Sequence, residues 1–115
     1  MDQLTNYKDI VRTVLGDYAA LFIKNPPQGE SETHTLFDEQ SARYMVYTTG
    51  WWQRKERLHT VNLYVQVKNG KVWVEEDWSQ DGIVDELMAR GIPAHDIVLA
   101  YHPEYLRDLT DFAVG

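Results

Sequence analysis

The sequence contains no cysteine, which excludes disulfides and thiolate metal sites and fits a reducing, cytoplasmic setting. Positive charge is scarce: 11 Lys and Arg stand against 18 Asp and Glu, a formal net charge of −7 at pH 7. Non-specific nucleic-acid binding relies on phosphate neutralisation by cations, so direct DNA binding is disfavoured. Solubility, and a basic partner, are favoured. The opening Met1-Asp2-Gln3 lacks the basic start and apolar run of a secretory leader. The longest apolar stretch in that region, Tyr18 to Ile23, is far too short to span a bilayer, so no membrane span is expected. The sequence shows no glycine-rich phosphate loop, no G-x-S-x-G elbow, no H-E-x-x-H pair and no recombinase-like nucleophile arrangement. Internal repeats, low-complexity tracts and long linkers are missing as well. No catalytic residue, cofactor or metal is expected on these grounds.

What is present is a chain of 115 residues, read as one domain spanning 1–115. Such a chain buries roughly 65% of its extended surface, enough for one modest core. Its organising stretch is Val61 to Asp77, where apolar and polar residues alternate on both sides of Asn69-Gly70. Asn-Gly between alternating runs signals a two-residue hairpin, because a type I′ turn needs positive φ at both central residues. The expected register sets Lys68 against Lys71, Val67 against Val72, Gln66 against Trp73 and Val65 against Val74. One face then carries Leu63, Val65, Val67, Val72 and Val74, a natural core floor. The other carries Tyr64, Gln66, Trp73 and Glu75.

Upstream, Leu4, Tyr7, Val11, Val14, Leu15, Tyr18, Leu21 and Phe22 recur at helical spacing, predicting an amphipathic helix from Leu4 to Ile23. Asn25-Pro26-Pro27-Gln28-Gly29 should end it. Thr33 to Asp38 and Arg43 to Thr49 read as strands, joined by a turn at Asp38-Glu39-Gln40-Ser41. Gly50-Trp51-Trp52 closes the second strand, and Gln53 to Arg57 is a polar connection. Downstream, Ser79 is a candidate N-cap with Gln80 and Asp81 in the first turn. Ile83, Val84, Leu87 and Met88 share a helix face, and Gly91 sits at the C′ position. Pro93 can open a single turn to Asp96. Ile97 to Tyr101 is short and buried, compatible with a further edge strand. Pro103 opens a last short helix with Leu106 and Leu109 inward. The fold class is therefore α+β: a four-stranded antiparallel meander with room for a short fifth edge strand, packed with a long N-terminal helix and short C-terminal helices.

Few constellations point to chemistry. His34, His59, His95 and His102 form no i, i+4 pair, and solvated or structural roles are the default. The acids Glu75, Glu76, Asp77, Asp81, Asp85 and Glu86 match no metal loop; they read as a solvated edge, or else as a dock for a basic partner. Arg54, Lys55, Arg57 and His59 form the only basic patch, beside Trp51 and Trp52. Aromatic and basic residues together suit an interface or single-stranded nucleic acid, against the alternative of a solvated hairpin loop. If helices cover one sheet face only, Tyr64 and Trp73 on the other are exposed or buried in a homo-oligomer.

Arg57, the hairpin core Asn69-Gly70-Lys71-Val72-Trp73-Val74, Asp77, Asp81-Gly82-Ile83, Glu86-Leu87, Gly91-Ile92-Pro93, Asp96-Ile97-Val98-Leu99 and the closing Thr110-Asp111-Phe112-Ala113-Val114-Gly115 follow in a set order and spacing. That ordered set resembles the XisI family, the fdxN element excision controlling factor proteins of cyanobacteria. The resemblance covers nearly the whole chain, including Leu4-x-x-Tyr7. Tyr64 stands where many members have histidine, and Ser79-Gln80 where Thr-Glu is common. The resemblance implies a control role in programmed DNA excision, alongside XisH, with a separate recombinase cutting and joining strands. It carries over no catalytic residue. Two readings follow. One is a non-enzymatic module that binds a XisH-like partner through Trp51, Trp52, Arg57, Tyr64 and Trp73. The other is an enzyme or small-molecule-binding domain with a site around Trp51, Arg57, Tyr64 and Trp73. A closed pocket with convergent polar groups favours the second; an exposed aromatic face favours the first.

Overall fold

Asn69 and Gly70 both adopt positive φ, 53° and 74°, the geometry a type I′ turn requires. The expected register holds on both sides of it, from Lys68↔Lys71 to Val65↔Val74. A bulge then shifts the pairing to Tyr64↔Glu76 and Leu63↔Asp77, leaving Glu75 without an opposite residue. The structure, a computed structural model, describes residues 3–24 and 30–115.

The strands are β1 (Glu30–Asp38), β2 (Arg43–Trp52), β3 (Glu56–Lys68), β4 (Lys71–Asp77) and β5 (Ile97–Leu99). They lie in the order β1-β2-β3-β4-β5. The first four are antiparallel, whereas β5 runs parallel to β4. The short run at 97–99 is thus a true fifth strand, and the sheet is mixed. The strand is parallel because the chain returns to the sheet through a helix, α2 (Val84–Ala89), and not through a tight turn. The connection expected at 53–57 shrinks to Gln53-Arg54-Lys55, since Glu56 and Arg57 pair with Trp52 and Trp51. Asp38 builds the first turn: its carboxylate accepts from the Gln40 N–H at 3.1 Å and the Ser41 hydroxyl at 2.7 Å. These bonds hold its pKa below the usual value.

α1 (Gln3–Lys24) lies across the inner sheet face. Tyr7, Val11, Val14 and Leu15 of the expected stripe are buried against Tyr44, Val46, Leu63, Val65, Val72 and Val74. Ile10 and Ala19 join them. Leu21 does not: it is 61% exposed. The helical period is right, but Leu21 lines the open groove between α1 and residues 78–90, while Tyr18, one turn earlier, still reaches Asn62 of β3. Tyr18 and Phe22 pack edge-to-face there, with centroids 4.9 Å apart. The stop expected at residues 25–29 and the side chain of Leu4 lie outside the described residues.

Ser79 does not cap α2, and Gln80 and Asp81 precede that helix. The N-cap is Ile83, and Asp77 does the work expected of Ser79. Its Oδ2 accepts from the Ile83 N–H at 2.9 Å, and its Oδ1 from the Ser79 N–H at 3.1 Å and the Ser79 hydroxyl. A charged carboxylate at the end of β4 accepts more strongly than a neutral hydroxyl, and here it engages the Ser79 hydroxyl itself. Gly91, at φ 114°, closes the helix in a Schellman motif. Gly91 N–H bonds Met88 C=O and Ile92 N–H bonds Leu87 C=O, at 3.0 and 3.1 Å. Met88 points outward, and Leu87 faces the core. Pro93 precedes the 3₁₀ turn Ala94–Asp96, and Pro103 precedes α3 (Glu104–Arg107). Leu109 is 80% exposed, because α3 is a single turn and the chain has left its face by then.

Two outcomes follow from this architecture. A Cβ at Gly70 would meet no atom within 4 Å, so Gly70→Ala isolates the cost of positive φ, about 1–2 kcal/mol. Chemical denaturation should show that loss, with Gly70→Asn smaller. Separately, Tyr44 is fully buried and its hydroxyl donates to Glu39 at 3.1 Å. Burial, then the Glu39 carboxylate, push its pKa up to about 12, against roughly 10 in an unfolded chain. The folded state holds this proton more tightly, so the associated stability is intact below pH 10 and lost as pH rises towards 12. Burial raises Tyr18 and Tyr101 in the same direction. Thermal midpoints should fall across that alkaline window, and less steeply in Tyr44→Phe; equal slopes would remove Tyr44 as the cause.

Candidate functional site

Alternation along the strands sends a second set of side chains to the sheet face that α1 does not cover. On β1 and β2 these are Leu36, His34, Met45, Tyr47 and Trp51; on β3 and β4, Arg57, Val61, Tyr64 and Trp73. The registers Leu36↔Met45, His34↔Tyr47, Met45↔Tyr64 and Trp51↔Arg57 place them side by side. His34 and Tyr47 rings lie 5.3 Å apart. Leu36 is exposed, while Met45, Tyr47 and Tyr64 are half-buried by one another.

The five residues singled out by sequence fall into two groups. Trp51 and Arg57 meet: the guanidinium sits 5.3 Å from the indole centroid, and its Nη1 donates to Gly50 O at 3.4 Å. Trp51 is 42% exposed. Trp52 is also exposed, but as the next residue of the same strand it leaves on the opposite, α1-side face. Tyr64 lies seven positions beyond Arg57 on β3, about 23 Å away at ordinary strand rise. Trp73 is farther still. The site is therefore a band with an aromatic–cation pair at one end and Tyr64 and Trp73 towards the other; it does not converge on a pocket.

The Trp73 end is partly roofed. Its Nε1 donates to Lys68 O at 3.3 Å, Lys68 Nζ lies 4.1 Å from the ring centroid and Arg107 Cζ 5.8 Å. A Cβ on Gly115 would stand 3.5 Å from the same indole. The C-terminal segment reaches this place by pairing with the free edge of β5. Val98 bridges Ala113, and Ala113 N–H bonds Ile97 O at 2.8 Å. Arg107 ties the segment down, donating to His102 O at 3.0 Å, Val114 O at 3.2 Å and Ala100 O at 3.4 Å. Val98 is fully buried yet lies outside the main core cluster, as expected for an outer-face residue under this cover. No sequence pattern announced Arg107: its partners are backbone carbonyls, which leave no trace in side-chain spacing.

The remaining candidates disperse. His34 lies 3.2 Å from Glu32, His95 3.8 Å from Asp96, and the His102 ring 4.6 Å from that of Tyr101. Among the described residues no three His, Asp or Glu side chains are grouped to hold a metal. Likewise no helix among them is long and apolar enough to cross a membrane. The acidic run splits. Asp77 is structural, Glu76 accepts from Trp78 Nε1 at 2.8 Å, and Glu86 pairs with Arg90 at 3.2 Å. A groove does form, on the other side of the sheet. It runs between the last turns of α1 and residues 78–90, and none of the five residues lines it.

The model of the family described as XisI protein matches residues 1–114. The chain is similar to the crystal structure of fdxN element excision controlling factor XisI from Anabaena variabilis ATCC 29413. Identity is 35%, covering 99% of this chain and 100% of that one, with a TM-score of 0.84. It is also similar to a XisI-like protein from the same strain, at 26% identity over 97% and 99% of the two chains, with a TM-score of 0.88. No curated protein matches.

Arg107→Ala should release the C-terminal strap. Loss of several charge-assisted bonds predicts a destabilisation of about 1–3 kcal/mol. Hydrogen exchange at the Ala113 N–H should rise well before exchange in β2 and β3. Unchanged protection at Ala113 would mean that the β5 pairing alone holds the strap.

Proposed function

The chain belongs to the XisI family, and on that premise we propose that it is a non-enzymatic accessory factor acting through protein–protein contact, with a XisH-like protein as its partner, in the control of programmed DNA excision. The observation that carries this reading is the outer sheet face. It is a broad, shallow band of Leu36, Tyr47, Tyr64 and Trp51 that the helices leave uncovered. Large aromatics and Arg dominate interface energetics, because they bury much area at little cost in side-chain freedom. The stacked Trp51–Arg57 pair is held in place before any partner arrives, which lowers the ordering cost of binding. A catalytic site needs convergent groups around a reacting atom; Trp51, Arg57, Tyr64 and Trp73 are strung along the sheet instead. The net charge of −7 argues that DNA is reached through the partner, not by this chain. A cytoplasmic, cyanobacterial setting accords with the role of the relatives.

The test is binding of a purified XisH-like protein, measured by calorimetry. Trp51→Ala with Arg57→Ala should weaken binding at least about tenfold, each hot spot contributing on the order of 1–2 kcal/mol. Thermal midpoints should stay nearly unchanged, since both side chains are exposed at a hairpin end. Undiminished affinity in this variant and in Tyr64→Ala would remove the outer face as the contact surface. Tyr64 and Trp73 are less clean probes alone, because their neighbours already half-cover them.

A further inference from the structure

On the α1 side of the sheet, the groove between α1 and residues 78–90 has a volume of about 1150 Å3. Its walls are aromatic and its rim is acidic. Tyr18, Phe22 and Trp78 supply the apolar surface, with Trp78 72% exposed. Asp17, Asp81, Asp85 and Glu86 line it, against a single guanidinium, Arg90. That guanidinium is already shared by Asp17 and Glu86, 3.2 Å from each. The Trp78 indole is oriented in advance by its bond to Glu76 and by its backbone N–H on Asn62 O, at 2.8 and 2.9 Å. An exposed, pre-oriented ring above a negative rim is built to receive something both apolar and cationic.

The chain itself presents such a segment. Every residue from Trp51 to Arg57 at the β2–β3 hairpin end is exposed. Trp52 there projects to the α1 side, the side on which the groove lies, and Arg54 and Lys55 occupy the turn. In a molecule of net charge −7 these cations stand exposed on the α1 side of the sheet end, whereas Lys68 and Arg107 are already engaged on Trp73 at the far end of the outer face. We propose that the groove receives the β2–β3 hairpin end of a second copy of this chain, Trp52 against Trp78 and the turn cations against Asp81 and Asp85. Reciprocal exchange of the two hairpins closes a two-fold dimer, with one self-complementary surface on each protomer. The contact uses Trp52 and leaves Trp51 and Arg57 on the other face, so it stands independently of the partner surface proposed above.

Sedimentation velocity on the full chain tests this. A dimer is expected in about 50 mM NaCl, weakened about tenfold or more in about 500 mM, since exposed charge pairs are screened at that ionic strength. Asp81→Lys with Asp85→Lys should give monomers, as should Arg54→Glu with Lys55→Glu. A chain carrying all four substitutions restores opposite charge and should dimerise again, which also shows that the substituted surfaces still fold. The milder Asp81→Asn/Asp85→Asn variant, checked by circular dichroism, should raise the dissociation constant without loss of fold. A wild-type monomer at low salt, whatever other ligand the groove takes, overturns the proposal. So does a dimer indifferent to either pair, or failure of the four-fold variant to reassociate.

Discussion

The register set by Asn69-Gly70 is the constraint on which the rest of the molecule depends. A two-residue turn with φ of 53° and 74° allows one pairing of β3 with β4. That pairing puts Val65, Val67, Val72 and Val74 on one face, all 4% exposed or less. A slip of one residue would turn this set to solvent and send Gln66 and Trp73 inward. The helices then have only one face to pack on. α1 lies across it, and the α2 crossover returns the chain to it in time to lay β5 parallel to β4. The bulge at Tyr64/Val65 brings Asp77 round to the helix side, where its carboxylate organises the entry to α2. One turn therefore determines the core, and through the bulge it also aims the residue that starts the second helix.

Periodicity and turn chemistry were readable because they are local. The hairpin register, the α1 stripe from Tyr7 to Leu15, the Asp38 turn and the Gly91 helix end depend on residues a few positions apart. The failures come where a local pattern meets a tertiary neighbour. Ser79 has the right chemistry for a cap, but Asp77 is anchored by a strand and reaches the same amides. Leu21 keeps helical phase, yet it lines the open groove beside residues 78–90 and not the core. Trp51 and Trp52 adjoin in sequence, but in a strand adjacency means opposite faces. The distance from Arg57 to Tyr64 was invisible for a related reason. The sequence reads 53–57 as a polar connection, whereas Glu56 and Arg57 already belong to β3, which extends from Glu56 to Lys68 and carries Arg57 away from Tyr64.

The two sheet edges are treated differently, which bears on how the outer face can be used. The β5 edge is closed by the C-terminal segment, whose pairing through Ala113 is locked by Arg107. The same segment shelters Trp73, so the β4–β5 end of the outer face already has its cover. No other described strand pairs with β1 beyond β2, and its outer residues include the exposed Leu36. Acidic residues Glu32 and Asp38 lie along β1, and like charge at an edge discourages unwanted strand pairing. The accessible part of the face therefore runs over β1 to β3, from Leu36 and Tyr47 to the Trp51–Arg57 pair.

Both proposed surfaces meet at the β2–β3 hairpin end. A strand pair that extends beyond its helices exposes both of its faces, and here each carries a tryptophan. Trp51 is stacked with Arg57 on the outer side; Trp52 is on the side of α1 and the acid-rimmed groove. The turn cations Arg54 and Lys55 lie between them. Geometry thus separates two contacts that composition alone would merge into one aromatic–basic patch. A partner reading Trp51 and Arg57 approaches from outside the sheet, whereas anything reading Trp52 approaches from the helix side. The two can be occupied together, because the sheet itself, with its side chains opposed across the backbone, stands between them.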